Sequence, residues 1–207
     1  MGKKLLQIGV TGGIGSGKST ICKIFYELGA PIYDADSRAK WILANDEVLR
    51  KQIIEKFGAQ SYNEKKEINR DYLAAQVFND SEKVKILNSL VHPRVGQDYS
   101  YWAENTPSKT GYIVKEAALL FESGSYKALD KIVTVEAPEE LRISRILKRD
   151  PFRKSEEIRG IIAKQMTDEQ RRALSDYIIY NDEKNLVIPQ VLKLHEEFLS
   201  LSRKNKS

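Results

Sequence analysis

The stretch Leu5-Leu6-Gln7-Ile8-Gly9-Val10-Thr11-Gly12-Gly13-Ile14-Gly15-Ser16-Gly17-Lys18-Ser19-Thr20 decides the fold. Leu5 to Val10 is a short apolar run stopped by a glycine cluster, which reads as a buried parallel strand better than as an amphipathic helix. Past the cluster, Ile21, Ile24, Phe25 and Leu28 recur at helical spacing, and Gly29 closes the helix. Residues 12–19 fit the pattern G-x-x-x-x-G-K-[ST], placed after a strand and opening a helix as its mechanism requires. The glycines let backbone N–H groups turn inward around a phosphate that a Cβ would obstruct, and the helix N-terminus adds partial positive charge. A nucleotide polyphosphate is therefore expected on Gly13, Ile14, Gly15, Ser16, Gly17, Lys18, Ser19 and Thr20. Lys18 is placed at the β- and γ-phosphates and the Ser19 hydroxyl on Mg²⁺.

Working outward, Ala30 to Tyr33 is a second short strand that ends at Asp34-Ala35-Asp36, and from there to about Thr106 the pattern is mainly helical with charged faces. Strand character resumes at Tyr112 to Val114, Ile132 to Val135 and Tyr177 to Tyr180, with a helix from about Glu139 to Arg149. Asp150 to Ser155 is a charged, Pro-containing turn suited to opening a lid. The alternation predicts an α/β fold, a parallel sheet flanked by helices with right-handed crossovers. The expected division of this one domain of 207 residues is a nucleotide-binding core over 1–36, 110–145 and 170–203, a helical insertion over 37–109 and a lid over 146–169. Ser202 to Ser207 is expected to be disordered.

Composition narrows the class. Hydrophobic residues make up 41% and charged residues 30%, which fits a globular chain and not a disordered or fibrous one. Lys and Arg total 34 against 29 Asp and Glu, a net charge of +5 that suits an anionic partner without choosing among nucleic acid, membrane surface and small polyphosphate. The one cysteine, Cys22, allows neither an intrachain disulfide nor a Cys-based zinc cluster, so a reducing, cytoplasmic location is expected. The longest apolar run, Ala117 to Phe121, is far short of the roughly 20 residues that span a bilayer. Met1-Gly2-Lys3-Lys4 begins neither a signal peptide nor a myristoylation site. The sequons at Asn79 and Asn205 carry no meaning in such a compartment. No Asn-Lys-x-Asp or Asp-x-x-Gly run occurs, which argues against a GTP switch.

Asp34 and Asp36 follow the second strand, where ligands collect in an open α/β sheet. One can hold Mg²⁺ through water while the other takes a proton from an attacking hydroxyl, provided the strand has ended by Asp34. Arg142, Arg145 and Arg149 share one helical face and suit the charge that spreads over a transferring phosphoryl group. Trp41, Tyr99, Tyr101 and Trp102 are expected to fill the core of the insertion, His195 to be a partly exposed helix residue, and His92-Pro93 to mark a helix end. The residues by themselves specify a small-molecule kinase, with nucleoside monophosphates or other small alcohols as acceptors.

The ordered set Thr11 to Thr20, Asp34-Ala35-Asp36, Asn88-Ser89-Leu90-Val91-His92-Pro93, Leu119-Leu120-Phe121-Glu122, and Gln165 with Asp176, Ile178, Ile179 and Asn181 resembles the dephospho-coenzyme A kinase family of P-loop kinases over nearly the whole chain. The resemblance implies ATP- and Mg²⁺-dependent phosphorylation of the ribose 3′-hydroxyl of dephospho-coenzyme A, with no nucleic-acid or membrane partner and a monomer or weak homo-oligomer. It implies Asp36 as catalytic base, with Lys18 and an arginine such as Arg145 stabilising the transferring group and Arg149 at the nucleotide. Asp34 and Ser19 are implied at the metal, and Asp34, Asp36, His92, Pro93 and Arg94 at the acceptor. Ala118 replaces a usual Pro, Leu141 stands near a usual Gln, and Asp182 replaces a Gly. The arginine helix is one residue longer than usual, which leaves open which of its arginines faces the phosphates.

Overall fold

The structure, a computed structural model, describes residues 5–78 and 80–204; the first four residues, Asn79 and Asn205 lie outside the described residues. In chain order the elements are β1 (Leu6–Thr11), α1 (Lys18–Glu27), β2 (Ile32–Asp34), α2 (Ala35–Asn45), α3 (Glu47–Phe57), α4 (Arg70–Val77) and α5 (Ser81–Asn105). They continue with β3 (Tyr112–Glu116), β4 (Lys131–Glu136), α6 (Glu139–Arg149), α7 (Ser155–Ala163), α8 (Asp168–Leu174), β5 (Tyr177–Tyr180) and α9 (Val187–Lys204). They form two compact units, the first made of the segments before Ala35 and after Trp102 and the second of Ala35–Trp102. The sequence boundary of 37–109 overshoots at its far end because α5 is one continuous helix that carries the chain past Trp102.

In the first unit the five strands are parallel in the order β2-β3-β1-β4-β5. β1 lies in the middle, buried on both faces, which is why it reads as an apolar run instead of an alternating one. Leu6, Ile8 and Val10 of β1, with Tyr112, Val114, Val133, Val135 and Ile179, pack against Ile21, Cys22 and Phe25 of α1 and Val191, Leu194 and Phe198 of α9. Each such large side chain removed from water contributes about 1.5–3 kcal/mol, so this layer fixes α1, and with it the glycine loop, against the sheet. The predicted disorder from Ser202 gives way to helix: α9 runs to Lys204, and the buried Ser202 hydroxyl donates to the Leu199 carbonyl at 2.9 Å. Residues 205–207 are outside the described residues.

The second unit has its own core of Ile42, Leu49, Ile53, Phe57, Tyr62, Leu73 and Val91. Asp46 caps α3 by accepting from Val48 N and Leu49 N, both at 2.9 Å, and its other oxygen accepts from Arg94 Nε at 2.6 Å. His92-Pro93 does not end a helix: α5 runs straight through it. Proline there removes one backbone donor and costs about 3 kcal/mol. Packing of Val91 and Tyr99 and the Arg94–Asp46 and Arg38–Asp98 pairs hold the helix on both sides of it. Of the aromatics expected in this core only Tyr99 is buried; Trp41 is half exposed beneath the Arg38 guanidinium, 4.4 Å from its ring centroid, and Tyr101 is exposed.

Candidate active site

The glycine loop leaves β1 and enters α1 with no side-chain cap and no acidic residue in the first turn, so the helix's amino end keeps its partial positive charge. Gly17 is left-handed at φ 92°, and a Cβ on it would meet Asn181 Nδ2 at 2.2 Å. That amide donates to the Ser16 carbonyl at 2.8 Å, pinning the loop to the end of β5. Lys18 is buried and its ammonium donates to the Gly12 and Gly13 carbonyls at 3.0 and 3.3 Å.

On one side of the loop the sheet supplies carboxylates. β3 extends two residues past Val114, to a buried Glu116. Glu116 is the register partner of Asp34, the last residue of β2, so two carboxylates end neighbouring strands. Ser19 Oγ donates to Glu116 Oε1 at 2.7 Å. Burial raises the Glu116 carboxyl above its ordinary range and the charge of Asp34 adds to this, against the opposing pulls of the Ser19 hydrogen bond and the Lys18 charge. Burial lowers the Lys115 ammonium, next in the strand, to about 8. Glu116 was not singled out from sequence; its signal is its place at the carboxyl end of a core strand, matching that of Asp34. α2 begins at Ala35, directly after the strand, and Asp36 stands exposed in its first turn. The condition set for Asp34 and Asp36, that the strand has ended by Asp34, is met.

On the other side α6 and α8 supply arginines. Arg142 is the arginine of α6 that reaches the loop: a Cβ on Gly13 would lie 2.1 Å from Arg142 Nη1 and 3.1 Å from Arg171 Nη2. Arg145 instead donates to the Asn181 carbonyl at 3.0 Å and pairs with Glu183 at 3.6 Å. Arg149 is exposed, and its polar contacts among the described residues go to Asp150, at 2.8 and 3.2 Å. Arg142 shares the buried face of α6 with Ile143 and Ile146. Arg171 was also not singled out from sequence. Gln165 Oε1 accepts from Ile14 N at 2.9 Å and joins the residues after α7 to the loop. An open cavity of about 230 Å³ lies at the carboxyl ends of β4 and β5, with Glu136, Asp168 and Tyr180 in its lining. His92, Pro93 and Arg94 all lie on α5 in the second unit, His92 with its imidazole lowered by burial and Arg94 tied to Asp46. His195 is partly buried, its Nδ1 2.6 Å from the Tyr112 hydroxyl.

A family model described as dephospho-CoA kinase matches residues 6–186. The chain belongs to the dephospho-CoA kinase family. A dephospho-CoA kinase of Porphyromonas gingivalis is 34% identical over 192 residues, 93% of this chain and 94% of that protein. Among solved structures, a Thermus thermophilus protein is similar with a TM-score of 0.79 at 28% identity, over 96% of this chain and 98% of its own. A dephospho-CoA kinase of Campylobacter jejuni gives a TM-score of 0.64 at 31% identity, with the same coverage of 96% and 98%. The family is one of kinases, and around the loop the sheet places carboxylates on one side while α6 and α8 place guanidinium groups on the other. Among the described residues no helix is long and apolar enough to cross a membrane.

Proposed function

We propose that the protein transfers the terminal phosphoryl group of ATP to the ribose 3′-hydroxyl of dephospho-coenzyme A, the last step of coenzyme A synthesis. The observation that carries this is the family match across residues 6–186, a span that contains the phosphate loop, Asp34 to Asp36 and Asn181. The glycine loop and the amino end of α1 bind the phosphates, and Lys18 turns from the loop carbonyls to the bridging and terminal phosphates as they enter. Asp36 accepts the proton of the attacking hydroxyl; its place two residues beyond the end of β2 supports that role.

The residues at the loop fit a divalent cation. Ser19 Oγ, Glu116 and Asp34 are hard oxygen donors, and a Glu116 raised first by burial and further by the charge of Asp34 is a group whose charge a cation relieves. Ser19, Glu116 and Asp34 would hold Mg²⁺, which would supply neutralisation of the phosphate charge. The chain's own share is to orient those oxygens: the Ser19 hydroxyl fixes the Glu116 carboxylate, and β3 fixes Glu116 beside Asp34. The test is direct. Protein, ATP, Mg²⁺ and dephospho-coenzyme A are mixed and products separated by chromatography. Coenzyme A and ADP in equal amounts are expected; phosphorylation of some other alcohol with no coenzyme A formed overturns the assignment.

A further inference from the structure

We propose that Arg142 and Arg171 together form an anion clamp for the terminal phosphoryl group of the bound triphosphate, and that Asp168 is the residue that positions both. The proposal rests on the nucleotide part of the function above and is independent of which alcohol is the acceptor.

Arg142, on α6, and Arg171, on α8, are 4% and 2% exposed. Guanidinium groups are almost never buried so fully unless their charge is balanced. Here two positive charges share one carboxylate, Asp168, which accepts from Arg142 Nη2 at 3.3 Å and from Arg171 Nη2. The nearby Glu136 is committed elsewhere, to a two-pronged pair with Arg172 at 2.7 and 3.2 Å. Nε and Nη1 of both Arg142 and Arg171 are buried without a hydrogen-bond partner. The other orphaned hydroxyls among the described residues of this unit are Thr11 Oγ1, at the end of β1, and Ser16 Oγ, in the loop that follows it. Unmet donors and an unbalanced positive charge, gathered against a phosphate loop, specify an oxyanion.

Gly13 sets where that anion goes. The residue that any side chain would push into Arg142 is the one whose carbonyl the Lys18 ammonium touches at 3.3 Å, so lysine and arginine converge on a single loop residue. The arginines are also held. Ser175 Oγ donates to the Arg171 carbonyl at 2.8 Å and lies 2.6 Å from Thr134 Oγ1, which anchors the end of α8 to β4. A purely structural cross-link between α6 and α8 needs one arginine and Asp168; it leaves the second arginine and the four orphaned donors without purpose.

The measurement is nucleotide binding by calorimetry with Mg²⁺ and no acceptor present, using ADP and the non-hydrolysable β,γ-imido analogue of ATP. Arg142→Gln and Arg171→Met are each expected to weaken the triphosphate analogue by roughly tenfold or more while ADP stays within about threefold. Arg171→Lys, which keeps the charge and loses the fork, is expected to fall between. Equal losses for the two nucleotides, or no loss for either, overturn the clamp. Should Arg171→Met not fold, Arg142→Gln and Arg171→Lys carry the same comparison, and an unchanged triphosphate preference in both overturns it. A protein that shows the preference and its loss but makes no coenzyme A refutes the acceptor and leaves the clamp standing.

Discussion

Ser19 Oγ and Glu116 Oε1 lie 2.7 Å apart, joining the first turn of α1 to the last residue of β3 and so tying the phosphate loop to a carboxylate that the loop motif does not contain. Glu116→Gln keeps the shape and removes the charge. The Mg²⁺ concentration for half-maximal rate is expected to rise by about 10–100-fold, and Mn²⁺ binding followed by electron paramagnetic resonance should weaken in parallel. An unchanged metal requirement would remove Glu116 from the site.

Asp36→Asn tests the base. Asp36 is exposed in the first turn of α2, so the substitution does not disturb a core. Turnover is expected to fall by roughly 10²–10⁴ with nucleotide affinity retained. Single-turnover rates separate the chemical step from product release, and a normal chemical step would show that another group takes the proton.

Gly17→Ala tests the link between loop and sheet. A side chain there is strained at φ 92° and runs into Asn181 Nδ2 at 2.2 Å, so the bond to the Ser16 carbonyl must break. A loss of about 1–3 kcal/mol of stability is expected, read by denaturant unfolding, together with weaker binding of ADP. Unfolding unchanged from the parent protein would contradict the placement of Asn181.

The pair His195 and Tyr112 predicts a pH effect on stability. Burial lowers the His195 imidazole below its ordinary value of 6.5, so the unfolded chain takes up the proton first as pH falls. The stability contributed by the neutral imidazole is complete above about pH 6.5 and is lost as pH drops through the folded-state value. His195→Gln should therefore show a shallower loss of stability than the parent between pH 7.5 and 5.5. His92, also lowered by burial, contributes with the same sign and stays present in both proteins, so the difference isolates His195. Identical slopes would show that folding leaves the proton affinity of His195 unchanged.

The fold was legible where local physics is strong. An apolar run, glycines and a helical period gave β1, the loop and α1 to within a residue, and the β-branched runs at 132–135 and 177–180 gave the far strands. Pro93 misled because packing and two ion pairs outweigh a local preference that sequence reasoning must respect. At the site the loop could be read directly, since its chemistry is contiguous in sequence. Glu116 could not, because a Lys-Glu pair looks like the polar end of a strand until the register with β2 places it beside Asp34. That Arg142 lies against Gly13 depends on the inward face of α6, and that Arg171 reaches the same glycine depends on where the chain sets α8; both are tertiary facts.

The strand order carries a last consequence. The chain leaves the sheet after β2 and rejoins it on β3, its immediate neighbour, with Asp34 and Glu116 already aligned. The intervening helices are thus an excursion between two adjoining rungs, and lengthening or exchanging such an excursion adds little closure entropy and leaves the ladder untouched. An exchange that starts after α2 keeps Asp36 in the chain's own first turn beyond β2, and Asp34 and Glu116 stay side by side.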